Sequence, residues 1–181
     1  KSRLQGGGAR PNLFRCLVTF PGQVGDTGDL SQLGSFMIKG AQLPSSVVAP
    51  VEVPYLGRKL KVAGDRTYEP FTITVINDTD FKVRSAFEKW MDLINDNVAN
   101  VSEFSQAGTA LEYMSTVQVQ QLGRENEADA TDPKFLAEYT LVDAFPTNIS
   151  AIDLNWETND TVEEFTVELN YQYWTSESVN G

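Results

Sequence analysis

Apolar and polar positions alternate most cleanly near the C-terminal end. From Glu163 to Trp174, Phe165, Val167, Leu169, Tyr171 and Tyr173 alternate with Glu164, Thr166, Glu168, Asn170 and Gln172. A period of two sends successive side chains to opposite faces, so this stretch predicts a long strand with one buried and one wet face. The same period marks Asn12–Phe20, with Phe14, Cys16, Val18 and Phe20 on one side and Leu17 opposite. It recurs at Phe71, Ile73 and Val75 within Phe71–Ile76. Further strands are expected over Ser35–Leu43, Tyr113–Leu122, Lys134–Ala144 (ended by Pro146) and Ile152–Trp156. The period becomes helical over Thr79–Asn95, where Val83, Phe87, Trp90, Met91 and Ile94 form one stripe. Thr79 or Asp80 can cap that helix.

Between these elements the chain punctuates itself. Gly6-Gly7-Gly8 mark residues 1–11 as a flexible arm. Residues 21–34, 97–112 and 123–133 read as loops, and residues 175–181 as a flexible tail. Pro50 and Pro54 remove backbone donors from Val47–Tyr55, so that segment is not a central sheet strand. Leu56-Gly57 supplies a turn, and Lys59–Val62 alternates again. Pro44–Glu69 is therefore expected to be a long protruding hairpin. In sum, about seven strands and one flanking helix predict a single mainly-β domain over 1–181, an antiparallel barrel or sandwich.

Composition narrows the chemistry. The chain has no histidine and one cysteine, Cys16. That removes Ser-His and Cys-His nucleophile schemes and disfavours a zinc site. Glu163 and Glu164 are sequence neighbours on a strand, so they point to opposite faces and cannot converge as a carboxylate pair. Glu125 and Glu127 sit in an acidic loop that reads as solvated surface. No glycine motif suited to cradling phosphate is present, and neither a cofactor nor a metal is expected. No apolar run is long enough to cross a membrane as a helix, and the N-terminal residues do not read as a signal peptide. The chain reads as a non-enzyme.

Net charge is −11, unevenly spread. Residues 1–90 hold 12 Lys and Arg against 8 Asp and Glu, whereas residues 91–181 hold 2 against 17. Such an acidic chain disfavours conventional DNA binding. The asymmetry also permits one face of a subunit to attract the opposite face of another copy.

Four segments, in order, carry a resemblance. They are ARPNLF (Ala9–Phe14), PYLGRKLKVAGDRTYEPFTITVIND (Pro54–Asp78), FPTNIS with LNWETND (Phe145–Ser150 and Leu154–Asp160), and EEFTVELNYQYW (Glu163–Trp174). Together they resemble the tail tube proteins of contractile-tailed bacteriophages across nearly the whole chain. The resemblance implies a β-barrel flanked by a helix, of the kind shared with type VI secretion tube proteins. It implies hexameric rings stacked into the inner tail tube, through which DNA passes without sequence-specific contact. The implied partners are further copies of the chain and the tail sheath, baseplate and tail terminator proteins. The implied location is the virion tail, assembled in the host cytoplasm.

Two surfaces follow as expectations. Arg58, Lys59, Lys61 and Arg66 form the densest basic cluster and are expected to meet acidic groups of an adjacent ring, in the 123–133 loop or near Glu157 and Asp160. Glu164, Thr166, Glu168, Asn170 and Gln172 form a wet face without Lys or Arg and are expected to include lumen-facing positions, with Gln118 and Gln120 as candidate neighbours. Alternation alone leaves lumen and exterior open for that face. Two alternative functions also stand: a tube component of a type VI or extracellular contractile injection system, and a monomeric ligand-binding barrel.

Overall fold

A computed structural model describes residues 8–25, 27–95, 112–123, 135–157 and 160–178. Among these residues nine strands and two α-helices follow one another: β1 (Phe14–Val18), α1 (Thr27–Met37), β2 (Ile38–Ala41), β3 (Ser46–Tyr55), β4 (Arg58–Tyr68), β5 (Phe71–Ile76), α2 (Lys82–Ile94), β6 (Ser115–Leu122), β7 (Phe135–Ile149), β8 (Glu164–Asn170) and β9 (Tyr173–Ser178). Seven of the strands join one antiparallel sheet in the order β1-β6-β7-β8-β5-β2, with β9 also on β7. Among the described residues β3 and β4 pair only with each other, as a separate two-stranded ribbon.

The long strand β7 organises the sheet. Its first half pairs with β6 and β9, and its second half with β8. Between the halves Asp143 takes a left-handed φ of 57°. β8 and β9 succeed one another along β7, and the break between them falls at Tyr171 and Gln172. There the Gln172 amide donates to the Val142 carbonyl at 3.1 Å. The expected single strand to Trp174 is therefore two strands, and residues 175–178 of the expected tail belong to β9. Pro146 does not end β7. The strand runs through it to Ile149, with a register shift between Pro146 and Asn148, a bulge of the kind that accommodates proline.

The core lies between this sheet and the two helices. Phe71, Ile73 and Val75 of β5 face Leu169, Val167 and Phe165 of β8 in register, and all six are buried. Helix α2 adds Val83, Ala86, Phe87 and Trp90. Phe20 packs edge-on against Phe87 and Trp90, with centroids 5.1 and 5.7 Å apart. The Trp90 indole donates to the Tyr113 carbonyl at 2.7 Å. Helix α2 begins at Lys82 and not at Thr79, and neither Thr79 nor Asp80 caps it. The capping position is Phe81, at φ 54° and without a side-chain bond.

Helix α1 occupies residues read from the sequence as loop and strand. Gly and Asp punctuate that stretch, but Leu30, Leu33 and Met37 keep helical spacing and pack against the core. The helix packs against β1, β2, β5 and α2. Gly34 is buried, and a Cβ there would stand 3.9 Å from the Phe20 ring, at ordinary van der Waals distance. The stretch expected as a strand over Ile152–Trp156 is irregular. No described helix is long and apolar enough to cross a membrane.

Candidate assembly surfaces

Three surfaces combine exposure with unusual composition. The first is the β3–β4 ribbon. Positive φ at both Leu56 (45°) and Gly57 (78°) makes a two-residue turn of the kind that matches strand twist. The register Tyr55↔Arg58, Val53↔Leu60, Val51↔Val62 places those residues on one face. The register Pro54↔Lys59, Glu52↔Lys61, Pro50↔Ala63 places the others on the opposite face. The ribbon is therefore amphipathic. Val51, Val53, Tyr55, Leu60 and Val62 make an apolar face on which each residue is 44–67% exposed. From Ser46 to Thr67 only Gly64 is not exposed.

A lone two-stranded hairpin is marginally stable in water, and an apolar ribbon face with no layer over it marks a contact surface. The four basic residues expected to form one cluster divide between the faces. Lys59 and Lys61 lie on the polar face with Glu52, and Lys59 pairs with Glu52 at 2.8 Å. Arg66 lies opposite Val48, beyond a register shift at Gly64–Asp65. Arg58 stands beside the turn on the apolar face. The apolar face itself was not singled out from sequence. Its signal was the period-two run Val51, Val53, Tyr55 mirrored by Leu60 and Val62 across the turn.

The root of the ribbon is anchored. The Tyr171 hydroxyl and the Trp174 indole both donate to the Ser45 carbonyl, at 3.5 and 3.4 Å. Tyr68 packs on Tyr171 with centroids 5.8 Å apart. Partial burial, with Tyr68 and Glu69 close by, raises the Tyr171 hydroxyl above its ordinary pKa.

The second surface is the outer face of β8 and its neighbours. Glu164, Thr166 and Glu168 alternate with the buried residues of β8, and Thr166 and Glu168 stand beside Thr74 and Thr72 of β5. Asn148 of β7 lies opposite Glu168. Helix α2 lies on the other side of the sheet, where the Arg84 guanidinium sits 5.2 Å from the Phe165 ring centroid. Asn170 ends β8, and Gln172 lies outside it. Lys39 of β2 forms an ion pair with Glu164, so one base does border this face. Gln118 and Gln120 are not paired with β8. They lie on β6, against the other half of β7, and Gln120 is buried and donates to Glu138 at 2.6 Å.

The third surface is a cleft of about 550 Å³ lined by residues 151–156 and 161–164. Trp156 is 98% exposed, Leu154 80% and Val162 67%. Residues 151–164 include Asp153, Glu157, Asp160, Glu163 and Glu164 and no Lys or Arg. The cleft and the ribbon occupy opposite ends of the same sheet. The cleft loop enters β8 at Glu164, which pairs with Ile76 at the end of β5. The ribbon enters β5 at Phe71, which pairs with Leu169 at the other end of β8. The 123–133 loop lies almost wholly outside the described residues.

A family model described as phage tail tube protein matches residues 9–177. The chain is 30% identical over 166 residues to tail tube protein gp19 of Enterobacteria phage T4, covering 92% of this chain and 90% of that protein. It is 25% identical over 166 residues to a tail tube protein of Serratia phage KSP90, covering 92% and 87%. Its fold is similar to chains in two solved assemblies. One is the sheath-tube complex of the extracellular contractile injection system PVC, at TM-score 0.64 and 14% identity, covering 99% of this chain and 98% of that one. The other is the anti-feeding prophage baseplate, at TM-score 0.65 and 14% identity, covering 96% and 98%.

Proposed function

The chain belongs to the phage tail tube protein family, and from that premise we propose that it forms hexameric rings that stack into the inner tube of a contractile tail, through which DNA passes into the host. The observation that carries this reading beyond family membership is the β3–β4 ribbon, whose apolar face is exposed and which pairs with no other described strand. A protruding face of this kind calls for another copy. The role is structural, without catalysis, and the working location is the virion tail.

Within a ring, the outer edges of β1, β2 and β9, which no described strand pairs, are available to neighbours, which would satisfy the backbone groups that an open sheet leaves exposed. Between rings, Arg58, Lys59, Lys61 and Arg66 face the acidic second half of an adjacent subunit. A head-to-tail contact that does not close generates a filament. The polar face of β8, with Glu164, Thr166 and Glu168, lines the lumen, with Asn170 at its border. DNA carries one negative charge per roughly 1.7 Å of duplex, and a wall poor in Lys and Arg offers its phosphates few contacts that would slow passage. Sheath, baseplate and terminator proteins contact the remaining outer surfaces.

Negative-stain microscopy of the purified protein, with and without a baseplate or seed, tests the reading directly. Rings or tubes are expected. A protein that stays a 20 kDa monomer at high concentration and is absent from purified virion tails overturns it, and restores the ligand-binding barrel. A tube of an extracellular contractile injection system remains the second reading. Fold likeness at 14% identity favours it, whereas the relatives at 25–30% identity are phage proteins.

A further inference from the structure

We infer that Tyr171 and Trp174 form a latch that fixes the direction of the β3–β4 ribbon relative to the sheet, and that the break between β8 and β9 builds this latch. The alternation of the C-terminal strands slips by one residue at the break. On an unbroken strand Tyr171 and Trp174 would point to opposite faces, and Tyr173 would follow Leu169 and Tyr171 inward. Instead Tyr173 is 46% exposed, and Trp174 turns inward to stand opposite the buried Leu141. Tyr171 and Trp174 therefore both pack against the core. Re-aiming a side chain in this way is what a local disruption of a ladder does.

There the two side chains reach one acceptor. A carbonyl oxygen has two lone pairs, and that of Ser45 accepts from the Tyr171 hydroxyl at 3.5 Å and from the Trp174 indole at 3.4 Å. Ser45 directly precedes β3. The other strand of the ribbon is held at the same level, because Ser46 pairs with Tyr68, and Tyr68 packs on Tyr171. Trp174 is backed by Tyr139 of β7, with ring centroids 5.7 Å apart. The latch thus grips both strands of the ribbon at their root and ties them to the longest strand of the sheet. Direction matters because the ribbon is a long lever on irregular joints. Residues 42–45 and 69–70, which join it to the sheet, have no regular structure. The ten residues of β3 reach about 30 Å, so a swing of about 10° at the root moves the tip by about 5 Å, close to the spacing of paired strands. Both hydrogen bonds are long, so neither alone holds such a lever and the two act together.

Distances between spin labels test the latch within one chain. Leu56, at the ribbon turn, is 87% exposed, Lys89 is exposed on α2, and Cys16 is buried, so Leu56→Cys with Lys89→Cys carries two labels. Where the chain assembles, labelled copies are diluted into an excess of unlabelled ones. This labelled parent should give one narrow distance distribution by pulsed electron resonance. Adding Tyr171→Phe and Trp174→Phe removes both donors and keeps an aromatic ring at each position. The distribution should then broaden by about 5–10 Å, the tip travel of a swing of about 10–20°, while the melting midpoint stays within a few degrees. Either substitution alone should give an intermediate width. A broad distribution in the labelled parent, or an unchanged one when both donors are gone, overturns the latch. So does broadening that accompanies loss of the cooperative melt, which reports the body of the protein and not the ribbon root. One substitution with the whole effect overturns the two-point arrangement. Each of these failures leaves the tube reading standing, whereas a chain with a narrow distribution that never forms rings or tubes fails that reading alone.

Discussion

Gly64 lies against Ala49 across the ribbon so closely that a Cβ on Gly64 would stand 2.5 Å from the Ala49 carbonyl oxygen, and 2.9 Å from Val51 Cγ2. The first obstacle is backbone and cannot rotate away. Gly64 and Asp65 together oppose Ala49 at the register shift, so the glycine permits a bulge that no other residue fits. Gly64→Ala should therefore distort the ribbon while sparing the core. The expected result is a thermal midpoint within a few degrees of the parent, with tubes lost or much shortened. A variant that assembles normally would show that the bulge is dispensable.

Trp90→Phe should destabilise the fold. The substitution leaves the Tyr113 carbonyl without its indole donor and opens space beside Phe20 and Phe87. The loss of that part-buried hydrogen bond alone costs about 0.5–1.5 kcal/mol, and the lost ring packing adds to it. At roughly 2–4 °C per kcal/mol for a chain of this size, calorimetry should register a clear drop in the midpoint. A drop of less than a degree would remove Trp90 from the residues that hold α2 in place.

Reversing Lys59 and Lys61 to Glu should shorten tubes. The change gathers three carboxylates, with Glu52, on one face of the ribbon. Exposed ion pairs contribute only about 0.2–1 kcal/mol each, so the effect depends on repetition around a ring. Tube lengths measured by microscopy should recover as salt rises, because screening weakens repulsion between exposed charges. Unchanged lengths at low salt would dismiss these lysines from the contact.

Changing Glu164 and Glu168 to Lys should leave assembly intact and slow genome ejection. New cations facing the channel would hold phosphates, and salt should relieve the delay. Screening falls off within about 8 Å at physiological salt, so only residues at the channel wall can act this way. Ejection kinetics that match the parent, or a tube structure with both side chains outside, would refute the lumen assignment.

Cys16 should resist alkylation until the protein unfolds. Burial pushes its thiol up to about 12 from the ordinary 9.0. The folded value lies above the unfolded one, so the stability gained by burying the neutral thiol is complete below pH 9.0 and is lost as pH rises towards 12. Labelling at pH 8 should track the unfolding rate. Prompt modification of native protein would contradict the burial.

The alternating strands were legible because burial imposes period two on them. Phe71, Ile73, Val75, Phe165, Val167 and Leu169 announce both strands and their buried faces, and the stripe from Val83 to Trp90 announces α2. The protruding ribbon was legible from Pro50, Pro54 and Leu56-Gly57. Helix α1 was hidden because Gly28, Asp29 and Gly34 read as loop residues, although Leu30, Leu33 and Met37 keep helical spacing and pack against the core. The strand break at Gln172 was hidden because alternation continues across it. The basic residues of the ribbon were visible as charges, but their division between faces depends on pairing register, which composition does not carry.

The placement of ribbon and cleft at opposite ends of one sheet also bears on growth. Any filament in which one engages the other has two chemically unlike termini. One displays vacant basic, apolar fingers and the other vacant acidic sockets. Monomer addition is then directional, and a protein shaped like either surface could start or stop elongation at one terminus without recognising the other.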